Sequence, residues 1–352
     1  MWRKSLQLPA SRALFAQRRR HVCRMLGVPF SKGQGKHGTE HGPTLLRSSR
    51  LLERLQKIGT TLIDDGDVVP DSTLSAQSTD SLVQRERVAV KNTREVSNLC
   101  QMLAKRVAGI AEQGDFCLTI GGDHSISCGS IAGQAAVRNN LAVVWVDAHP
   151  DINTAETTPS GNLHGMVASL LLQHISPVRT RDFEWCYPVI SPDKIVYIGL
   201  REVDPAERQI IELLKIKTFT MAHIDRLGIA RVMEEALDHI DPKGDSNFHM
   251  SYDVDCLDPY YVPSTGTAVD GGLSLREGLY VCESVSQTNR LVSMDLVEIN
   301  PTIGTVEDVS RTVETAMQVI CSTLTGDRTA IYARFGDLPV NVEQDSATAS
   351  LG

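Results

Sequence analysis

The sequence predicts a single doubly wound α/β domain built on a central, mostly parallel sheet of about eight strands. Short apolar runs alternate along the chain with segments of helical periodicity, without internal repeat or clear linker. The central run, Leu141 to Val146, is unbroken and free of Gly and Pro, as expected of a strand buried on both faces. With 352 residues, 41% hydrophobic and 22% charged, the chain is long enough for one large domain and has the composition of a folded soluble protein.

The elements follow in order. A first strand is predicted from Val22 to Gly27, running into a loop rich in Gly that ends at Pro43, a residue suited to the first turn of a helix. Leu45, Leu46, Leu51, Leu52, Leu55 and Ile58 keep helical spacing, and Gly59 ends it. Thr61 to Ile63 suits a short strand, and Asp64 to Asp80 a long irregular loop. Val96, Leu99, Leu103, Val107 and Ile110 share one face of a second helix. A strand from Phe116 to Ile120 opens into Gly121-Gly122-Asp123-His124-Ser125, where glycines permit a tight turn. A helix from Ile126 to Val137 leads to the central strand. Beyond it, helix is expected at 165–172, 205–214 (with Pro205 in its first turn), 224–240, 274–286 and 305–324. Strands are expected at 194–200, 218–221, 248–255, 291–297 and 329–333, and a disordered tail from Gln344.

The charge pattern bounds the partners. Formal net charge is −8, yet residues 1–20 hold six basic side chains (Arg3, Lys4, Arg12, Arg18, Arg19, Arg20) and no acidic one. The acidic body argues against nucleic acid as main partner. The basic, Ser-containing start has the composition of a mitochondrial transit peptide, with a basic arm on a cytoplasmic protein as the alternative. The organisation expected is transit segment 1–20, catalytic domain 21–340 and tail 341–352. No apolar run approaches the roughly 18 residues of a membrane span. Eight scattered cysteines without a C-x-x-C pair read as reduced core residues. Gly-rich dinucleotide, nucleophile-elbow and Walker motifs are all missing from the sequence.

Chemistry gathers at the strand ends, where open α/β sheets bind ligands. After the central strand come Asp147, His149 and Asp151 at spacing two; if the chain stays extended, all three face one side. A solvated Asp-rich loop is the plain alternative. His124 lies at another strand end, Asp253 and Asp255 at a third, and Glu298 at a fourth. Two histidines with four carboxylates are too rich in oxygen for structural zinc and suit a pair of hard or borderline divalent cations. Two metals about 3.5–4 Å apart can hold a bridging hydroxide, which points to metal-assisted hydrolysis.

Four motifs extend this reading: GGDHS at 121–125, DAHPDIN at 147–153, SGNLHG at 160–165 and SYDVDCLDP at 251–259. Together they resemble the ureohydrolase signatures, and within that family those of the arginases, over most of the chain from Val22 to Arg328. The resemblance implies hydrolysis of L-arginine to L-ornithine and urea, two Mn2+ ions per chain, and a homotrimer. One metal would be held by His124, Asp147, Asp151 and Asp253, the other by His149, Asp147, Asp253 and Asp255, with Asp147 and Asp253 bridging. His164 matches the proton-shuttle histidine, and an imidazole titrates in the right range for that work. Thr267 and Glu298 match positions that orient the guanidinium. Asn153 and Ser160, with Asn162 beside them, match the α-carboxylate contacts; Asp204 and, more weakly, Glu207 match the α-amino contacts. The chain departs from the arginase pattern at Lys36, His37, Pro150, Ala268 and Asp270, and after Arg328. An agmatinase-like ureohydrolase, or a silent arginine-binding regulator, are the other readings, and the DINTAETTPSGNLHG loop at 151–165 favours an arginase.

Overall fold

The computed structural model describes residues 22–69, 89–175 and 181–329. The basic segment 1–20, the loop expected up to Asp80 from position 70 on, the strand expected at 329–333 from position 330 on, and the tail lie outside them.

Eight strands form one sheet among the described residues: β1 (Cys23–Val28), β2 (Leu62–Asp67), β3 (Phe116–Gly121), β4 (Leu141–Val146), β5 (Ile195–Leu200), β6 (Lys217–Thr220), β7 (Asn247–Asp253) and β8 (Leu291–Val297). Their order is β2-β1-β3-β8-β7-β4-β5-β6, and every pairing is parallel. Ten helices connect them: α1 (Gly42–Ser48), α2 (Leu51–Lys57), α3 (Thr93–Glu112), α4 (Ser127–Val137), α5 (Val167–Leu171), α6 (Pro205–Leu214), α7 (Met221–Leu227), α8 (Ile229–Ile240), α9 (Leu275–Gln287) and α10 (Val306–Thr325).

The side-chain period of two divides β4 between two cores. Leu141, Val143 and Trp145 pack with α3 to α6, whereas Ala142, Val144 and Val146 pack with α1, α2 and α7 to α10. Every residue of β4 is buried, which is why its sequence lacks the polar alternation of a one-sided strand.

Several expectations shift for local reasons. The helix expected across Leu45 to Ile58 is two, because Arg50 adopts φ 64 between α1 and α2. The helix expected from Ile224 to Ile240 begins at Met221, where Thr220 and His223 form a capping box, and breaks at Gly228 with φ 76. That expected at 165–172 reduces to a 3-10 turn, Leu163–Met166, followed by α5. The acidic run Asp64 to Asp67 is strand, not loop. Arg47 holds Asp64 at 2.8 Å and Asp67 at 2.5 Å, and Arg24 holds Asp65 at 2.7 Å, so the charges of this edge strand are paired. The strand expected to reach Asp255 stops at Asp253 and turns into a 3-10 helix, Val254–Cys256.

Helices α3 and α4 cross with almost no spacing. A Cβ on Gly129 would lie 2.5 Å from the Cys100 carbonyl oxygen, and one on Gly133 2.5 Å from that of Ala104. Overpacking of this kind costs about 1–3 kcal/mol. Gly129→Ala should therefore lower the urea midpoint of unfolding; an unchanged midpoint would mean that the two helices separate without cost.

Candidate metal centre and substrate cleft

Register sets the geometry of the site. Ile120, Leu296, Tyr252 and Val146 lie in one row across β3, β8, β7 and β4. These four strands are consecutive in the sheet although they come from distant parts of the chain. Just past that row the chain delivers His124, Glu298, Asp253 and Asp147. The glycine after β3 has a steric cause: a Cβ on Gly122 would lie 2.4 Å from the Phe30 carbonyl oxygen.

Two groups of ligating side chains result. His124, Asp147 and Asp253 converge, and so do Asp147, His149 and Asp255, with Asp147 common to both. His124 Nδ1 stands 3.0 Å from Asp147 and from Asp151 and 3.2 Å from Asp253. None of the three oxygens meets it in hydrogen-bond geometry, so a fully buried imidazole nitrogen is left facing three carboxylates. His149 Nδ1 stands 3.1 Å from Asp255 and 3.4 Å from Asp147. Four carboxylates, almost wholly buried, against two imidazoles leave an excess of acidic groups that bound cations, or in their absence protons, must offset. The donor set of oxygen and imidazole nitrogen fits divalent metals.

The residues expected from the sequence are here, but not for the reason of an extended strand. Asp151 turns with φ 47, and Asp255 lies in the 3-10 turn after β7. Glu298 also has positive φ, 69, which aims its Oε1 at the His124 backbone N–H (2.9 Å) and at His164 Nδ1 (3.2 Å). Thr267 donates to Asp255 Oδ2 at 2.8 Å. Pro150 lies between His149, a member of the second group, and Asp151, which belongs to neither group but stands 3.0 Å from His124 Nδ1.

Four supporting residues escaped the sequence reading. Trp145 stacks on His124 with ring centroids 4.4 Å apart and donates its indole N–H to Asp147 Oδ2 at 3.0 Å. Ser251 meets His124 Nε2 at 2.9 Å, and Glu202 meets His149 Nε2 at 3.1 Å. Asp123 caps the turn that carries His124. Trp145 and Ser251 each precede a ligand by two positions on a strand, so the strand period held a signal for both.

A cleft of about 370 Å³ opens from the metal groups. Asn153, Ser160, Asn162, His164, Asp204 and Glu207 line it, as do His149, Asp151, Asp253 and Thr267. Asn153 donates to Asp204 Oδ2 at 2.9 Å, and Glu207 accepts from the backbone N–H of Ile152 and of Asp204. A larger, more open hollow between Tyr260 and α10 shares no residue with the cleft.

The arginase family model matches residues 21–326. The chain belongs to the arginase family. It is 46% identical to Arginase-1 of Homo sapiens over 298 residues, which is 84% of this chain and 90% of that one. It is 42% identical to a non-hepatic arginase of Xenopus laevis, covering 89% and 86%. The crystal structure of an arginase from Bacillus subtilis superposes with TM-score 0.76 at 35% identity, over 86% of this chain and 98% of that one.

At positions departing from the arginase pattern, the loop before α1 is still anchored. Lys36 donates its ammonium to the Gly266 carbonyl, and the His37 carbonyl accepts from Asn300 at 3.0 Å and Thr302 at 3.2 Å. The electrostatics follow from burial and neighbours. Burial, then the charges of Asp255 and Asp147, push the Asp253 carboxyl well above its usual range. Against the same burial, His124 and His149 hold Asp147 below it. Burial disfavours a charged His164, but Glu298, Asp151 and Asp123 outweigh this and raise it to about 9. Burial and the charge of Asp151 bring Glu207 to about 7, against two backbone hydrogen bonds that lower it.

Metal removal should expose this balance. In chelated protein, folded Asp253 and Glu207 hold protons that the unfolded chain releases near pH 4. Their contribution is complete below that pH and is lost as pH rises, for Glu207 through about 7. Stability without metal should thus fall between these values, and a divalent cation, which binds the deprotonated site, should reverse the trend. Urea midpoints across pH, with and without chelator, measure it; equal slopes in the two states would refute it.

Proposed function

We propose that this chain hydrolyses the guanidinium group of L-arginine, giving L-ornithine and urea, at a pair of Mn2+ ions. One juxtaposition carries the reading: a single cleft joins a metal-suited carboxylate–imidazole cluster to Asn153, Ser160 and Asp204. His124, Asp147, Asp151 and Asp253 would hold one ion, and His149, Asp147, Asp253 and Asp255 the other. Asp147 belongs to both groups by distance; a bridging role for Asp253 is part of the proposal. Bound divalent cations make water a usable nucleophile at neutral pH.

The chain's own residues supply the rest. Asp204 is an anion where the α-ammonium of arginine would arrive, and Asn153 and Ser160 are donors for its carboxylate. Glu298 is 1% exposed and carries an unpartnered Oε2, so its charge acts on a guanidinium with little screening. The same carboxylate keeps His164 protonated at neutral pH, and His164 on the cleft wall delivers that proton to the departing amine. The proposal extends to a homotrimer, which a sedimentation result of a monomer would end. It extends also to a mitochondrial address for the segment 1–20, which a fluorescent fusion of residues 1–35 left diffuse in the cytosol would end.

The direct test is urea release from arginine by manganese-loaded protein, compared with agmatine. His164→Asn should lower kcat by about 10²–10⁴, the usual contribution of a general acid, while the chain retains its metal on elemental analysis. A variant that turns over at the wild-type rate would remove His164 from the mechanism.

A further inference from the structure

The cleft is anionic. Besides Asp151 and Asp253, the proposed metal ligands, Glu202, Asp204 and Glu207 line it, and among the described residues no lysine or arginine does. A substrate bearing a carboxylate enters against that field. The donors at the carboxylate end are neutral, and one is engaged already: Asn153 Nδ2 donates to Asp204, while Ser160 Oγ accepts from the Asn162 backbone N–H at 3.2 Å and keeps its O–H to donate.

Lys91 stands behind this rim, outside the lining. Its backbone N–H donates to the Gly161 carbonyl at 2.9 Å, and its ammonium donates to Asn162 Oδ1 at 3.2 Å. The next residue, Asn92, takes φ 51 and donates its Nδ2 to the Lys32 carbonyl at 2.8 Å. The pair therefore ties the 158–162 turn to the loop that follows β1. An ammonium can only donate, so it selects the oxygen of the Asn162 amide. The Nδ2 end of that amide is left free to meet a carboxylate. Without Lys91 the amide can rotate and present its oxygen, which a carboxylate repels.

The geometry points to Lys91 as a positioning and specificity-determining residue for substrates with an α-carboxylate. It holds Asn162 with its N–H side available and places a positive charge beside the rim where the carboxylate arrives. The inference rests on the arginine-hydrolysis reading and adds to it the residue that offsets the acidic cleft. Lys91 is exposed, so its charge is screened by salt. Its effect belongs in binding, since nothing places it against the metal groups.

Steady-state kinetics of the manganese-loaded full chain test this with Lys91→Met and Lys91→Arg, on arginine and agmatine, at low and high salt. Lys91→Met should raise KM for arginine about tenfold, the scale of one charge-assisted contact, and leave kcat in place. It should leave kcat/KM for agmatine unmoved and flatten the salt dependence of KM for arginine. If agmatine turnover is too slow to follow, its inhibition constant against arginine takes the place of kcat/KM. Lys91→Arg keeps donor and charge and should keep KM near wild type. The backbone bond to Gly161 survives in each variant, so the turn keeps that anchor. An unmoved KM in Lys91→Met, or equal damage on both substrates, overturns the inference while arginine turnover by wild type stands. A wild-type chain that releases no urea from arginine overturns both readings.

Discussion

Repulsion among buried carboxylates is the constraint on which this molecule depends. Asp147, Asp151, Asp253 and Asp255 are held within reach of two imidazoles, in a place where water cannot solvate them. Burying such charge unpaired costs more than a domain's whole margin of stability. The surroundings are arranged to hold it. The indole of Trp145 fixes Asp147 and supports the His124 ring, backbone N–H groups of His149, Ala148 and Asp255 cap the carboxylates, and Thr267 donates to Asp255. What remains uncompensated is the demand for cations, so affinity for metal is built into the folding balance.

The sheet makes such a cluster attainable. Strands in parallel end on the same edge, so loops that leave them share one rim. Neighbouring β3, β8, β7 and β4 each contribute to that rim, while the helices on both faces shield it from the sides. The walls of the cleft come from the long connection after β4, the short one after β5 and, through Thr267, the one after β7. The α6 N-terminus adds Asp204 and Glu207, which serve as cap and N3 partner of one capping box. A carboxylate committed to a cap is rigid, and a rigid anion discriminates among ligands better than a mobile one.

Much of this was legible in the residues. The apolar run at 141–146 announced a two-sided strand, and the polar letters that interrupt each run marked the rim. The structure gathers the residues expected at this rim, on an argument that held only in part, since extended spacing cannot anticipate φ 47 at Asp151 or a 3-10 turn at Val254. Which strands are neighbours is not a local property, so the joining of residue 124 to residue 298 could come only from resemblance or coordinates. Pairings across long separations, such as Arg47 with Asp64, stayed hidden for the same reason, and an acidic strand was therefore read as loop. Lys91 opens a run of ordinary polar residues after Val88-Ala89-Val90 and carried no signal of its own.

The place of β8 has a consequence for how the chain comes of age. The strands β2, β1 and β3 lie on one side of it and β7, β4, β5 and β6 on the other, and among the described residues no other strand joins the two halves. His124 leaves the first half; Asp147 and Asp253 leave the second. A nascent chain still short of Leu291 thus holds the His124 imidazole apart from the carboxylates, which share the second piece of sheet with His149. The full cluster is therefore completed only when β8 joins the two halves, which comes with nearly complete synthesis.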